Sequence, residues 1–165
     1  MSLKFSKVRD VKSPTRANPT DAGIDWFVPR EMPAEDFEAK NKNWNAYVMS
    51  TKIVLLPHGR ACIPAGIHVN LDEGMALIAA NKSGVATKKG LIFGAQVIDS
   101  DYQGEVHISV INTTSDNVEI PLGSKIIQFL YMPVSLDMPT ETPFDELYTE
   151  ETSRGAGGFG SSGDK

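Results

Sequence analysis

Several separated stretches carry side chains suited to phosphate and water chemistry. In FGAQVIDSDYQGEVHISVIN (residues 93–112) an apolar run ends at Val97 and Ile98. Asp99, Ser100, Asp101, Tyr102, Gln103 and Gly104 interrupt it. The run that follows alternates: Val106, Ile108 and Val110 face one way, and Glu105, His107 and Ser109 the other. Period-two patterning about a Gly-containing loop predicts a β-hairpin. Taken alone, its acidic tip reads as a solvated turn, because Asp and Ser favour turns through local backbone hydrogen bonds. A pocket, with a carboxylate as base and Tyr102 as wall, needs support from the rest of the chain.

Three other stretches offer it. NKSG (residues 81–84) sets Lys82, Ser83 and Gly84 at a strand exit. Its cation, hydroxyl and backbone N–H groups could hold a phosphate, or form only a basic turn. RGAGGFGSSG (residues 154–163) is too glycine-rich to be rigid by itself. It is not a P-loop, since Asp164 stands where that motif needs Lys. It reads either as a terminal tail or as an arm closing over a nucleotide, with Arg154 on phosphate and Phe159 on a base. Asp25, in DAGIDWFVP, and Gln128, in KIIQFLYMP, suit water or Mg²⁺. Alone, Asp25 reads as a solvent-facing strand residue.

The elements that must position these groups are short and extended. Strands are expected near residues 3–11, 24–28, 52–56, 61–71, 75–80, 91–98, 105–112, 118–120 and 125–133, with turn residues between them. Many short strands with almost no helical periodicity predict an all-β barrel or double-sheet roll. Residues 30–50 break the pattern and read as a surface insertion, with a turn or two of helix over 34–40. Trp44 and Tyr47 are expected to fold it back onto the body. The domain plan is a β domain over 1–150 and a flexible arm over 151–165.

Composition narrows the classes. A net charge of −5 and a pI of 5.2 disfavour non-specific nucleic-acid binding, which relies on Lys and Arg neutralising phosphates. The single cysteine, Cys62, leaves no intrachain disulfide, and His58, His68 and His107 have no metal-ligand spacing. The opening MSLKFSKVRD lacks a signal peptide's apolar stretch, and no apolar run is long enough to span a membrane. The expectation is a soluble cytoplasmic protein, or one of host cytoplasm if the source is viral.

Five stretches, in order, resemble the deoxyuridine triphosphatase (dUTPase) family: AGIDW, NKSGVATKKG, VIDSDYQGE, GSKIIQF and RGAGGFGSSG. The resemblance implies a distorted jelly roll, a homotrimer with sites between subunits, and Mg²⁺-assisted cleavage of dUTP to dUMP and pyrophosphate. It implies Asp99 as general base, backbone at Val97 and Ile98 for uracil, and Tyr102 against the deoxyribose. Lys82, Ser83 and Gly84 would take phosphates, and Asp25 and Gln128 would orient Mg²⁺-bound water. Arg154, Phe159 and Gly160 would close from the arm. A related class, dCTP deaminase, would need its own catalytic Glu and no Arg/Phe arm. The sequence departs from the family at Lys82 (usually Arg), Gln96 (usually small, so expected to crowd the base pocket), Trp26 (usually Leu) and the 30–50 insertion, which could meet a protein partner.

Overall fold

The structure, a computed structural model, describes residues 3–158. Phe159 and Gly160 therefore lie outside the described residues. The chain forms two compact units, Met1–Ser135 and Leu136–Lys165.

The first unit is all-β, of jelly-roll type. Its elements are β1 (Lys4–Lys7), β2 (Ile24–Phe27), α1 (Ala34–Asn41), β3 (Ala46–Val48), β4 (Lys52–Leu55), β5 (Arg60–Pro64), β6 (Ile67–Asn70), β7 (Met75–Asn81), α2 (Ser83–Lys89), β8 (Leu91–Phe93), β9 (Val97–Ile98), β10 (His107–Asn112), β11 (Val118–Pro121) and β12 (Lys125–Pro133). The second unit carries α3 (Phe144–Leu147). All paired strands are antiparallel, in the orders β1-β6, β5-β10-β8, β11-β4-β3 and β2-β12-β7-β9. Among the described residues, no helix is long and apolar enough to cross a membrane.

The alternation expected across β10 is present: Ile108, Val110 and Asn112 are buried, and His107, Ser109 and Ile111 are half-buried. The expected hairpin is not. β9 pairs with β7, whereas β10 pairs with β5 and β8. Residues 99–106 therefore cross from one sheet to another. Local alternation specifies an extended chain on each side of a turn but not the partner of either strand, which depends on residues distant in sequence.

The insertion is anchored differently from expectation. Phe37 on α1 is fully buried. Asn41 donates to Phe37 O and Cys62 O and accepts from Cys62 N at 2.6 Å. Trp44 contributes a guanidinium contact, with Arg60 4.5 Å from its ring centroid, but Tyr47 is exposed on β3. Phe37→Ala is expected to destabilise the protein by about 3–5 kcal/mol, the cost of emptying a buried aromatic site. Urea unfolding measures this; a loss under about 1 kcal/mol would show that Phe37 does not anchor the insertion.

Trp26 is a core residue. Its ring centroid lies 4.8 Å from that of Phe129.

Candidate active site

Several of the polar residues singled out in the sequence gather in two places in the first unit; Ser83 and Arg154 belong to neither. The first is a cleft of about 180 Å³ lined by Val97, Ile98, Asp99, Tyr102, Val106 and His107. It forms because β9 is the last strand of its sheet: one edge pairs with β7, and the chain then turns away at Asp99. The other edge of β9 has no strand partner among the described residues. Such an edge presents amide donors and carbonyl acceptors in one row.

The turn after β9 is held by its own groups. Tyr102 N donates to Asp99 O. The Tyr102 hydroxyl donates to Glu105 O at 2.9 Å, and the ring lies across Gly104, where any Cβ would collide with it. Glycine at 104 is thus what lets the ring fold over the turn. Asp99 is exposed at the cleft rim. His107 Nδ1–H donates to Glu105 O at 2.7 Å, since that carbonyl can only accept. Sequence reasoning gave His107 no role in the cleft. Its signal was the alternation that set it on the face opposite Ile108. The Gln96 amide donates to Phe93 O at 3.3 Å, and Gln96 is not among the residues lining this cleft.

The second gathering lies on the same sheet. Asp25 on β2 is only 3% exposed, not solvent-facing as its position suggested. Lys125 Nζ lies 2.7 Å from Asp25 Oδ2, and Lys82 Nζ pairs with Oδ1. Burial alone would push this carboxyl up, but the ammonium groups of Lys125 and Lys82 outweigh it and hold it below the usual carboxylate range. Lys125 is the member that sequence reasoning missed; its signal is its place at the start of β12, in GSKIIQF. Gln128 sits opposite Asp25 in the ladder and donates to Asn81 O at 3.0 Å. A Cβ at Gly23 would overlap the end of the Gln128 side chain, so AGID and KIIQ fit together as they stand because glycine is there; another residue would displace the Gln128 amide.

NKSG does not form a turn. Lys82 caps α2, and Ser83 and Gly84 open it, both exposed. Gly90, in the left-handed region at φ 61°, ends the helix and donates to Ala86 O. A Cβ at Gly84 would meet nothing within 4 Å, so the chain's own packing does not require that small residue. In the second unit, Arg154 Nε donates to Gly157 O at 2.8 Å, closing a tight turn.

Donor chemistry does not fit a metal caged by the protein. Both Asp25 oxygens are engaged by lysines, and no group of three or more His, Cys, Asp or Glu side chains gathers among the described residues.

The two gatherings lie far apart within one chain. In the ladder Ile98 pairs with Leu77 and Val97 with Ile78. Lys82 is five residues beyond Leu77, roughly 17 Å of backbone at a strand's rise per residue.

Fold and cleft together define an antiparallel jelly-roll protein with a carboxylate-and-tyrosine cleft at a sheet edge. The chain belongs to the dUTPase family: the family model of that description matches residues 47–163. A deoxyuridine 5'-triphosphate nucleotidohydrolase of Wolbachia sp. subsp. Brugia malayi (strain TRS) is 34% identical over 162 residues, covering 97% of this chain and 90% of its own. The protein of the same name from Wolbachia sp. subsp. Drosophila simulans (strain wRi) is 39% identical over 162 residues, covering 97% and 92%. Among solved structures, the dUTPase of Staphylococcus bacteriophage 80alpha with dUpNHpp has a TM-score of 0.76 at 22% identity, covering 99% of both chains. A mutant dUTPase from phage phi11 of S. aureus, whose structure concerns coordination of a structural Mg(II) ion, has a TM-score of 0.69 at 20% identity, covering 91% of this chain and 100% of that one. At these identities the solved structures establish the fold.

Proposed function

We propose that the protein hydrolyses dUTP, taken as its magnesium complex, to dUMP and pyrophosphate. The product would supply dUMP for dTMP synthesis, and the reaction would limit uracil entry into DNA, in the cytoplasm of the source cell or of a host. The observation that carries the reading is the cleft, where a backbone edge, a tyrosine wall and a rim carboxylate meet within one short segment.

In this reading the free edge of β9 at Val97 and Ile98 matches the donor and acceptor pattern of uracil. Tyr102 packs against the deoxyribose and leaves no room for a 2′-hydroxyl. Asp99 takes a proton from the water that attacks the α-phosphorus; the new P–O bond forms as the bond to the pyrophosphate oxygen breaks. Lys82, Ser83 and Gly84 hold phosphate oxygens. Lys82 can do so while paired to Asp25, because 23% of its side chain remains accessible. Gln128 orients water around the triphosphate, Asp25 acts on it through Lys82 and Lys125, and magnesium arrives on the phosphates, which a hard, strongly hydrated cation favours. Arg154, Phe159 and Gly160 close from the arm.

The roughly 17 Å of backbone between Lys82 and the position paired with Ile98 supports sites shared between copies. A cyclic homotrimer, with the cleft of one subunit facing the lysine cluster of the next, meets that need. The exposed Tyr47 and Met49, on and beside edge strand β3, mark where a protein partner of the insertion would sit.

The test is to incubate the protein with Mg²⁺ and dUTP, dCTP, dTTP or UTP, measuring pyrophosphate and ammonia. Pyrophosphate from dUTP alone is expected; ammonia from dCTP, or no turnover, would overturn the reading. Tyr102→Ala is expected to lower the kcat/KM preference for dUTP over UTP by roughly tenfold or more, by opening the sugar wall. Unchanged preference would remove that role. Deleting residues 154–165 is expected to lower activity while leaving β-domain unfolding unchanged, and a fully active truncation would show that the arm does not take part.

A further inference from the structure

Behind the cleft, Glu105 anchors the foot of the crossing segment. Its carboxylate faces two donors that come from elsewhere in the chain. Oε1 accepts from Arg9 Nε at 2.8 Å and from Gly66 N at 2.8 Å, and Oε2 accepts from Arg9 Nη2 at 3.3 Å. The result is a forked guanidinium–carboxylate pair, the geometry that fixes orientation as well as charge. Both side chains are mostly shielded, Arg9 at 24% and Glu105 at 16% accessible. Gly66, at φ 72°, is required here twice over: its dihedral favours glycine, and a Cβ would press on the Arg9 Cβ.

The backbone of the same Glu105 is what the cleft uses. Its carbonyl accepts both the Tyr102 hydroxyl and His107 Nδ1–H. Gln103 is tied in as well, its carbonyl accepting from His68 Nδ1–H at 2.8 Å. The position of the tyrosine wall is thus referred to Glu105, and Glu105 is referred to Arg9. The remaining terminal nitrogen of Arg9 is not idle: Nη1 donates to Asp36 Oδ2 at 2.7 Å, on the insertion helix α1. One guanidinium therefore joins the insertion to the back of the cleft.

We propose that Arg9 and Glu105 are positioning residues that set the Tyr102 wall, and with it the preference for a deoxyribose nucleotide, and that Asp36 braces this setting from the insertion. The inference rests on the dUTP reading for its substrate. Its structural half is independent, because the Arg9–Glu105 fork exists whatever the nucleotide. A fork that only stabilised the fold would change unfolding without changing selectivity. A fork that sets the wall changes selectivity while Asp99 and the phosphate-binding residues stay in place.

The experiment compares wild type with Glu105→Gln, Arg9→Lys and Asp36→Ala. It reads kcat and KM for dUTP and UTP together with hydrogen exchange over residues 99–107. Glu105→Gln keeps an acceptor for Gly66 N but loses the charge, and Arg9→Lys keeps the charge but loses the fork. Both are expected to lower the dUTP-to-UTP preference by roughly tenfold, through small displacements of the wall. In both, exchange over 99–107 rises. Asp36→Ala is expected to move both readouts the same way by a smaller factor; no movement would remove the insertion from the account. Lower thermal stability with unchanged preference and unchanged exchange in Glu105→Gln and Arg9→Lys would overturn the inference while leaving the dUTP reading intact. A wild type inactive on dUTP would overturn both, and a rise in exchange would then show the fork to be a structural clamp only.

Discussion

Asp99→Asn is expected to lower kcat on dUTP by about a hundred- to ten-thousandfold, the range for losing a positioned general base. The variant should bind dUTP within a few-fold of wild type. The substitution keeps the size and one acceptor of the side chain but removes the charge that draws a proton from water. Asp99 stands exposed at the cleft rim, and the turn's described contacts to this residue run through its backbone carbonyl, to Tyr102 N. Loss of the carboxylate should therefore leave the cleft's shape unchanged. Stopped-flow turnover beside equilibrium binding of dUTP separates the two effects. Equal losses in binding and turnover would make Asp99 a structural residue and send the search for the base to another carboxylate.

Asp25→Asn is expected to destabilise the protein by about 3 kcal/mol, the lower end of the range for breaking a buried ion pair. The moderation comes from its partners. Lys82 and Lys125 have 23% and 39% of their side chains accessible, so they can turn to water when the carboxylate is gone. The pH dependence follows from the direction of the shift. The folded carboxyl titrates below its unfolded value, so its contribution is complete above an ordinary carboxylate pKa of about 3.9 and is lost as pH falls through the lower, folded value. The gap between wild type and Asp25→Asn should be constant from about pH 5 to pH 7 and narrow below about pH 4. Urea unfolding at pH 7, 5 and 3 measures it. A gap that widened toward acid would mean that the two lysines do not stabilise the ionised form. The same substitution frees Lys82 from its partner, so phosphate affinity and stability are expected to move separately.

The cleft was legible in the sequence because its lining is nearly contiguous. Val97, Ile98, Asp99, Tyr102 and Val106 fall within one short stretch, and the alternation of β10 and the unbroken run of β12 name their buried faces directly. What was not legible depends on partners distant in the chain. Asp25 looks solvent-facing from its neighbours Ile24 and Trp26; its burial is decided by Lys82 and Lys125, 57 and 100 positions away. β9 and β10 look like one hairpin because the turn between them is local, yet their ladders are completed by β7 and by β5 and β8. SGVATKK is a weak helix former, with a glycine and two β-branched residues, so its helix comes from context and from the Gly90 end rather than from propensity. In the insertion, Trp44 and Tyr47 drew attention as large aromatics, but Phe37 is the ring that the body encloses.

The account turns on one site being assembled from two copies: the cleft with Asp99 from one chain, the Lys82–Ser83–Gly84 segment from another. Mixing chains carrying Asp99→Asn with chains carrying Lys82→Gln tests this directly. Each variant alone is expected to be weakly active. After co-refolding at equal amounts, random assortment makes about a quarter of the sites intact in both parts. The mixture should therefore recover about a quarter of wild-type dUTP turnover, with mixed assemblies seen by native mass spectrometry. Mixed assemblies with no activity above that of the two parents would contradict the account and place the whole site within a single chain.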